Sequence, residues 1–211
     1  METAIEAASW IAGAYLVGGI PFGFLIGKMN GVDVRTVGSR NIGATNVFRT
    51  VGKKWGVLAL VLDMMKGLVP TLACRLASDI SWLPLMVGVM TAVGHMLTPY
   101  MKFKGGKGVA TGFGMMIALI PAYCGIAFAI FACVFALSNY ISLGSCIAAT
   151  FLGVAVWIPA LGCNGYGDIP QAVLITLVAV FVVYKHRANI ARLLAGSENK
   201  IYLFKKPAEA K

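Results

Sequence analysis

Apolar residues in this chain gather in long runs, and most charged residues lie in the short segments between those runs. Several runs approach the roughly 20 residues that an α-helix needs to cross a bilayer. The pattern predicts seven helices, the fourth shorter than a standard span, at about residues 7–26, 55–75, 82–99, 109–120, 122–137, 143–161 and 169–184. We therefore expect an all-α, polytopic integral membrane protein with seven transmembrane helices, and a single membrane-embedded domain over residues 1–211.

The composition favours the same class of protein. Hydrophobic residues make up 59% of the chain and charged residues only 12%, about half of their usual share in a soluble domain. The formal net charge is +10, which in a soluble protein would suggest a nucleic-acid partner. In a membrane protein the enrichment of basic residues in cytoplasmic loops explains most of this excess. We therefore expect no nucleic-acid partner and attribute the remaining charge to anionic substrates.

The basic residues also predict the orientation of the helices. If the N-terminus lies outside, the segments that face the cytoplasm hold 16 of the 18 lysines and arginines, namely segments 28–54, 101–108 and 138–142 and the tail after residue 184. Only Lys66 and Arg75 fall elsewhere. Because short cytoplasmic loops are enriched in Lys and Arg, we expect the N-terminus outside and the C-terminus in the cytoplasm.

The first apolar run is predicted to be a retained helix. Glu2 and Glu6 precede it, whereas a cleavable signal peptide would begin with a basic segment. Gly18, Gly19 and Pro21 near its end predict close packing and a kink.

Cysteine and histidine usage argues against disulfides and metals. The five cysteines are odd in number, four lie in apolar runs, and no pair has the spacing of a redox or zinc motif. His95 and His186 are the only histidines, and neither has a Cys or an acid at ligand spacing. We expect no metal and no cofactor.

One ionisable pair interrupts the second apolar run. Asp63 and Lys66 are one helical turn apart and share a face. Ionisable groups at membrane depth usually face a partner or a polar cavity. The pair is either a structural ion pair or a support for a functional site, and the sequence leaves both open.

The most informative polar stretch runs from Gly38 to Arg49. It contains two hydroxyls, two carboxamides, two arginines and two glycines among its polar positions, and no acid. Backbone N–H groups in such a loop can form a concave nest for an oxyanion, and arginine adds a planar fork of donors. We interpret the stretch as a phosphate-binding loop on the cytoplasmic side.

A second stretch, residues 103–111, carries the sequence Gly105-Gly106-Lys107-Gly108 just before a predicted helix. Glycines let the backbone approach an oxyanion, the helix N-terminus offers N–H groups, and Lys adds charge. It is not a Walker A loop, because Gly108 stands where Ser or Thr is required. Taken alone, the segment is better explained as a flexible cytoplasmic turn with basic residues; together with the first stretch it favours anion binding.

The third stretch lies at the end of the last predicted helix. His186, Asn189 and Arg192 are spaced by three residues and share one face if the helix continues. A basic cluster that anchors the chain at the membrane would explain Lys185 and Arg187 but not Asn189 beside His186. His186 is a candidate general base, hydroxyl-orienting group or hydrogen-bond donor.

Several catalytic classes are excluded by what the sequence lacks. The predicted cytoplasmic loops have no paired carboxylates for two-metal phosphoryl transfer, and there is no GxSxG motif. The HxxxxD signature of soluble-type glycerolipid acyltransferases fails, since Tyr100 and Ala191 stand at the acid position after His95 and His186. The clustered aspartates of CDP-alcohol phosphotransferases are also missing.

Three motifs together resemble a known family. They are SRNIGATN at residues 39–46, Gly94-His95 through KGGKGVAT at residues 104–111, and HRANIARL at residues 186–193 with Gly196 and Glu198. Their order and spacing are similar to those of the PlsY-type acyl-phosphate:glycerol-3-phosphate acyltransferases of bacteria, over nearly the whole chain. The resemblance implies a seven-helix enzyme of the bacterial inner membrane whose active site faces the cytoplasm.

The resemblance also implies a reaction, the first step of bacterial phospholipid synthesis. A fatty acyl group passes from acyl phosphate to the sn-1 hydroxyl of glycerol 3-phosphate, giving lysophosphatidic acid and phosphate. The implied partners are these two substrates, the lipid bilayer and the soluble enzyme that makes acyl phosphate. Acyl-CoA and acyl carrier protein are not expected as direct donors.

The candidate site residues follow from the motifs. For acyl phosphate we expect Ser39, Asn41, Gly43, Thr45, Asn46, Gly105 and Gly106, the last two together with Lys107 through their amides. For glycerol 3-phosphate we expect Arg49, Lys104, Lys107, Ser142, His186, Asn189 and Arg192. Catalytic roles are expected for His186, Asn189, Arg49 and Lys107. The acyl chain would occupy a groove between helices that opens to the bilayer.

Two questions stay open at this point. Because the predicted cytoplasmic loops offer no free carboxylate, the base is either His186 or the phosphate of the substrate itself, with His186 orienting groups. A transporter or channel for an organophosphate anion shares the helices and the basic pocket, but every polar cluster faces one side. A purely structural subunit leaves the polar stretch at residues 38–49 unexplained.

Overall fold

The computed structural model describes residues 2–161 and 169–202, and all regular structure in these ranges is helical. The helices are α1 Glu2–Gly19, α2 Phe22–Met29, α3 Ala44–Thr50, α4 Lys53–Ala77, α5 Leu83–Met96, α6 Val109–Leu119, α7 Pro121–Ser138, α8 Ile141–Ala155, α9 Trp157–Ala160, α10 Ile169–Lys185 and α11 Arg187–Leu194, with a 3₁₀ turn at Pro99–Met101. The predicted outer loop at 162–168, with Cys163, and the tail from 203 lie outside the described residues. The all-α expectation is confirmed for the described chain.

Each of the seven predicted helices is present, with four short helices added to them. α2 and α9 continue the first and sixth predicted helices after a break, and α11 follows the seventh after a bend of 53°. The argument from spacing assumed that the last predicted helix continues straight past His186. The structure differs, because the chain bends there. Residues 44–50 were expected to lie in a loop, and this prediction was wrong, because they form the helix α3.

The number of membrane crossings is only partly supported. Among the described residues, five helical segments are long and apolar enough to span a membrane, or six if the bent pair α10–α11 counts as one span. α6 has 11 residues, so it is about 16 Å long at 1.5 Å per residue. That length is roughly half of a hydrocarbon core of about 30 Å.

The break between α1 and α2 is stabilised by other helices. Pro21 lacks an N–H, so carbonyls in the preceding turn lose their helical partners. The Thr98 hydroxyl donates to the Gly19 carbonyl at 2.6 Å, and Lys66 Nζ donates to the Ile20 carbonyl at 2.8 Å. The predicted kink is therefore present, and its free carbonyls are satisfied.

Glycines bring α4 and α6 into close contact. A Cβ atom on Gly67 of α4 would collide with a backbone carbonyl of α6, and one on Gly114 of α6 would collide with a carbonyl of α4. Small residues at such positions let helix backbones approach each other in a membrane. The largest buried apolar cluster lies beside this pair, between α5, α6, α7, α8 and α10.

The two basic residues that fall outside the predicted cytoplasmic segments both have partners. Arg75 donates to the Ala118 carbonyl at 2.5 Å, in the last turn of α6, where carbonyls lack helical partners. Lys66 lies 2.8 Å from the carboxylate of Asp63, and both side chains are buried. The long faces of α4 and α10 expose apolar residues such as Val69 and Val180, as expected for helices in contact with lipid.

Candidate active site

The three polar stretches meet in one cavity of about 310 Å³. Ten of the predicted residues line it: Ser39, Asn41, Gly43, Thr45, Asn46, Arg49, Lys107, Ser142, His186 and Asn189. Four further polar side chains line it as well: Asp63, His95, Ser145 and Glu198. These residues come from α3, α4, α5, α8, α11 and the segments between helices, so the site depends on the whole helix assembly.

Asn46 organises the first stretch from within. Its side-chain oxygen accepts a hydrogen bond from the Ser39 N–H at 2.8 Å. Its amide group donates to the carbonyls of Val34 at 2.8 Å and Val37 at 3.2 Å. Asn46 is 1% exposed, so its side chain supports the loop at residues 34–39. This contact set assigns Asn46 a structural task in addition to its place in the cavity wall.

Arg49 lines the cavity and has one buried donor without a partner among the described residues. Its Nη2 donates to the Asn199 carbonyl at 3.0 Å. Its Nε is buried and has no hydrogen-bond partner among the described residues. Burial lowers the pKa of Arg49, but a guanidinium stays protonated at any physiological pH. A buried N–H of this kind is normally satisfied, and a phosphate or carboxylate oxygen is its strongest acceptor.

The glycine segment has a different task from the one expected. The N–H of Gly105 donates to the Met96 carbonyl at 3.2 Å, and the N–H of Gly106 donates to the His95 carbonyl at 3.0 Å. These amides are therefore not available to acyl phosphate. A Cβ on Gly106 would collide with the imidazole of His95, and one on Gly105 with the His95 carbonyl. The glycines instead let this segment pack tightly on the end of α5.

The two lysines of this segment lie in different environments. Lys104 is exposed and does not line the cavity, contrary to its expected place in the site. Lys107 is directed inward, and its Nζ donates to Asn189 Oδ1 at 2.6 Å. Burial lowers the pKa of Lys107 to about 8, although the nearby carboxylate of Glu198 opposes this shift. Lys107 is thus a cation at neutral pH that loses its charge in mildly alkaline solution.

Glu198 is the residue that the sequence analysis did not place in the site. Its carboxylate accepts hydrogen bonds from Ser142 Oγ at 3.0 Å, Asn189 Nδ2 at 2.6 Å and Arg192 Nε at 2.7 Å. Burial alone would raise the pKa of Glu198, but these three bonds lower it below its usual value. Glu198 is the only acid between residues 169 and 208, and that isolation in a basic tail is the signal that could have revealed it.

Arg192 is held by this carboxylate and does not line the cavity itself. Asn189 is held at both ends of its carboxamide, because its oxygen accepts from Lys107 and its amide donates to Glu198, and one N–H and one lone pair remain for a ligand. Ser142 is tied to the same group from α8. Glu198 therefore fixes the relative positions of three predicted site residues from two helices.

His186 lies at the bend between α10 and α11 and is 3% exposed. Its Nδ1 is 2.8 Å from the Val182 carbonyl. A carbonyl can only accept, so Nδ1 carries the hydrogen, and Nε2 of the neutral ring is an acceptor. His186 can therefore orient a substrate hydroxyl or receive its proton.

The lining residues of the cavity and the charged groups directly behind them together carry more positive than negative charge. Arg49, Lys107 and Arg192 face a single carboxylate, that of Glu198. The other lining acid, Asp63, is neutralised by Lys66. The described residues contain no cluster of three side chains that could hold a metal ion. The arrangement of Arg49 and Lys107 can bind an anion and polarise it.

An apolar groove of about 350 Å³ adjoins the cavity. The two share part of their walls, including Leu60, the residues 108–110 and Phe131. Phe135, Phe131 and Phe128 stack in sequence along α7, with ring centroids 6.0 and 6.4 Å apart, and extend from the cavity into the groove. A ligand with an anionic head and a hydrocarbon chain fits this pair of spaces.

Comparison with known proteins agrees with the motifs. The family model described as glycerol-3-phosphate acyltransferase matches residues 8–196. The proteins named glycerol-3-phosphate acyltransferase from Trichlorobacter lovleyi and Endomicrobium trichonymphae are 44% and 43% identical, and the alignments cover 90% and 91% of this chain and 95% and 94% of theirs.

The fold is similar to that of PlsY (YgiH), described as an integral membrane glycerol 3-phosphate acyltransferase. Its crystal structure in the glycerol 3-phosphate form superposes with a TM-score of 0.85 at 36% identity, over 93% of this chain and 96% of that one. A second crystal structure, the lysophosphatidic acid form, gives a TM-score of 0.82 at 35% identity over the same shares. This chain belongs to the glycerol-3-phosphate acyltransferase family of integral membrane proteins.

Proposed function

We propose that this acyltransferase takes its acyl group from acyl phosphate and transfers it to the sn-1 hydroxyl of glycerol 3-phosphate. The products are lysophosphatidic acid and inorganic phosphate, and the reaction is the first step of bacterial phospholipid synthesis. The observation that carries the proposal is the continuity of a cation-rich cavity with an apolar groove. Both substrates bear phosphate, and one also bears a long hydrocarbon chain.

Glycerol 3-phosphate binds on the side of the cavity where the cations are. Its phosphate accepts from Arg49 Nε, which has no partner among the described residues, and from Lys107. Its glycerol hydroxyls contact His186 and Asn189. Ser142 and Arg192 belong to this side through Glu198, which holds them in place.

The acyl phosphate has its head group against residues 39–46 of the first polar stretch. Ser39, Asn41, Gly43 and Thr45 line the cavity in this stretch. Asn46 acts by holding the Ser39 backbone. Gly105 and Gly106 act by allowing their segment to pack on α5, because their amides already have partners. The acyl chain extends from there into the apolar groove.

The reaction needs positioning and charge stabilisation more than a strong nucleophile, because acyl phosphate is a mixed anhydride with a good leaving group. The sn-1 oxygen of glycerol 3-phosphate attacks the acyl carbon and forms the ester bond. The bond between that carbon and the phosphate oxygen then breaks, and phosphate leaves with the electron pair. The hydroxyl proton passes either to a substrate phosphate or to Nε2 of His186.

His186→Gln separates these two bases. Glutamine retains a polar side chain for orientation but has no group that titrates near neutral pH. If a substrate phosphate is the base, the variant loses rate but keeps the low-pH limb of the pH–rate profile, in which the rate rises as the general base loses its proton. Loss of that limb would identify His186 as the base and refute substrate-assisted proton transfer.

We also propose seven membrane crossings, with the N-terminus outside and the cavity facing the cytoplasm. The start of α6 and the start of α8 both border the cavity, so α6 and α7 leave and return to the same side. Arg75 satisfies a carbonyl at the far end of the short α6. A soluble enzyme that makes acyl phosphate can then deliver it from the cytoplasm of the bacterial cell. The chain acts as a single domain over residues 1–211.

The test is an assay of the purified protein with glycerol 3-phosphate and either palmitoyl phosphate or palmitoyl-CoA. We expect lysophosphatidic acid and an equal amount of phosphate from palmitoyl phosphate without added metal. Product from palmitoyl-CoA alone would refute the donor but keep the class of enzyme. If neither donor gives product, exchange of glycerol 3-phosphate in proteoliposomes would support the transporter instead.

A further inference from the structure

One glycine in the wall of the apolar groove has no packing reason to be a glycine. Gly67 and Gly114 are explained by close approach, because a Cβ at either position would collide with the backbone of a facing helix. Gly112 is buried in α6, yet a Cβ built there would meet no atom within 4 Å. Its φ is also an ordinary negative helical angle. Neither backbone conformation nor helix contact requires glycine at this position.

The empty space beside Gly112 is the groove itself. Gly112 is one of the lining residues of the groove but does not line the polar cavity. Gly108, Gly112 and Met116 follow each other at a spacing of four residues and form one stripe along α6. Gly108 borders both spaces, whereas Met116 borders only the groove. Gly112 is therefore about 6 Å along α6 from Gly108 and lies beyond the residues 108–110 that the two spaces share.

Other small side chains also line the groove. Ala148 and Ala149 of α8 border it, together with large residues such as Phe128 of α7. A methylene chain that starts at the polar cavity and follows the groove passes these residues. A side chain at position 112 would enter that path.

We propose that Gly112 is a specificity-determining residue, and that its missing side chain keeps the groove open for the distal part of a long acyl chain. This inference rests on the proposed function, because it takes the groove as the acyl site of the acyl phosphate donor. The first few carbons of the donor lie between the cavity and Gly112, so a short donor does not depend on the open space. A long donor does.

The test compares Gly112→Val with Gly125→Val. Gly125, in α7, also has open space at its Cβ position, but it is exposed and does not line the groove. Lysophosphatidic acid formation is measured with acyl phosphates from butanoyl to hexadecanoyl. In Gly112→Val, kcat/KM for hexadecanoyl phosphate relative to the shortest donor that the wild type uses should fall about tenfold or more, as is usual for hydrophobic pockets. The KM for glycerol 3-phosphate should stay within about twofold.

Gly125→Val should keep the wild-type ratio. Equal loss of activity with short and long donors in Gly112→Val, or no change in the ratio, would overturn the inference. If Gly112→Val does not fold, Gly112→Ala replaces it and should shift the ratio in the same direction by a smaller factor. A well-folded Gly112→Ala with the wild-type ratio would also overturn the inference. A wild type that gives no product from any acyl phosphate would refute the proposed donor and the inference with it.

Discussion

Two buried ionic clusters lie in the wall of the same cavity, and they differ in how their charges are used. In the first, Asp63 pairs with Lys66 at 2.8 Å, and Lys66 also satisfies the Ile20 carbonyl at the break between α1 and α2. In the second, Glu198 holds Arg192, Asn189 and Ser142, and Arg49 and Lys107 add further positive charge.

This difference indicates that the first cluster supports the structure and that the second binds the ligand. The first cluster is electrically balanced, and its lysine is paired with Asp63 and donates to the Ile20 carbonyl, so it offers little to an anionic ligand. The second has more cations than acids, and the Nε of Arg49 has no acceptor among the described residues. For an anionic ligand, proximity to a cavity is therefore a weaker guide to function than an unpaired donor and uncompensated positive charge.

The largest effect is expected at Arg49. Arg49→Lys keeps the charge but loses the planar fork that can donate through Nε while Nη2 holds the Asn199 carbonyl. We expect kcat/KM for glycerol 3-phosphate to fall about a hundredfold, which corresponds to roughly 3 kcal/mol. The matched control is Arg35→Lys, since Arg35 is exposed and paired with Asp33. Near-normal kinetics in Arg49→Lys would remove Arg49 from the phosphate site.

Removal of the second cation should have a smaller effect. Lys107→Ala deletes a buried charge-assisted donor, so we expect the KM for glycerol 3-phosphate to rise about 10- to 100-fold. Lys104 belongs to the same segment but is exposed and does not line the cavity. In Lys104→Ala, the KM for glycerol 3-phosphate should therefore stay at the wild-type value. If the two variants behave alike, the segment is only a flexible basic turn.

The KM for glycerol 3-phosphate should depend on pH through the charge of Lys107. Because burial lowers the pKa of Lys107 to about 8, its ammonium is present below that pH and is lost above it. The KM for glycerol 3-phosphate should therefore rise by up to about tenfold per pH unit above pH 8. Lys107→Arg should abolish this rise, because arginine stays charged. A wild-type KM that is flat between pH 7 and about 9.5 would contradict a direct role for the Lys107 charge.

The first cluster should affect stability more than binding. Asp63→Asn leaves Lys66 buried without its counter-ion, and loss of one partner from a buried pair destabilises by roughly 3 kcal/mol. We expect a lower thermal midpoint and a KM for glycerol 3-phosphate that changes less than about twofold. Asp33→Asn, which breaks an exposed pair, is the control and should leave the midpoint nearly unchanged. A large rise in KM without loss of stability would move Asp63 into the binding site.

Local spacing explains what the sequence could predict. The apolar runs were long enough to predict helices, and Pro21 predicted the break in the first helix. The Asp63–Lys66 pair followed from its i, i+3 spacing on one helix. The convergence of three polar stretches was also foreseen, because they all lay on the side predicted to be cytoplasmic.

Long-range contacts explain what it could not predict. The short helix α3 lies in a polar segment, and its Asn46 is fixed by carbonyls about ten residues earlier in the chain. The amides of Gly105 and Gly106 are taken by carbonyls at the end of α5, which no local pattern indicates. Glu198 gains its role from Ser142, 56 residues away, as well as from its own segment.

The most direct test of the account is an experimental structure of the protein with glycerol 3-phosphate bound. The account predicts that a phosphate oxygen lies within hydrogen-bonding distance of Arg49 Nε, that Lys107 Nζ contacts the same phosphate, and that Lys66 keeps its contacts to Asp63 and Ile20. A phosphate bound beside Lys66 and His95, with Arg49 Nε still unpaired, would contradict it.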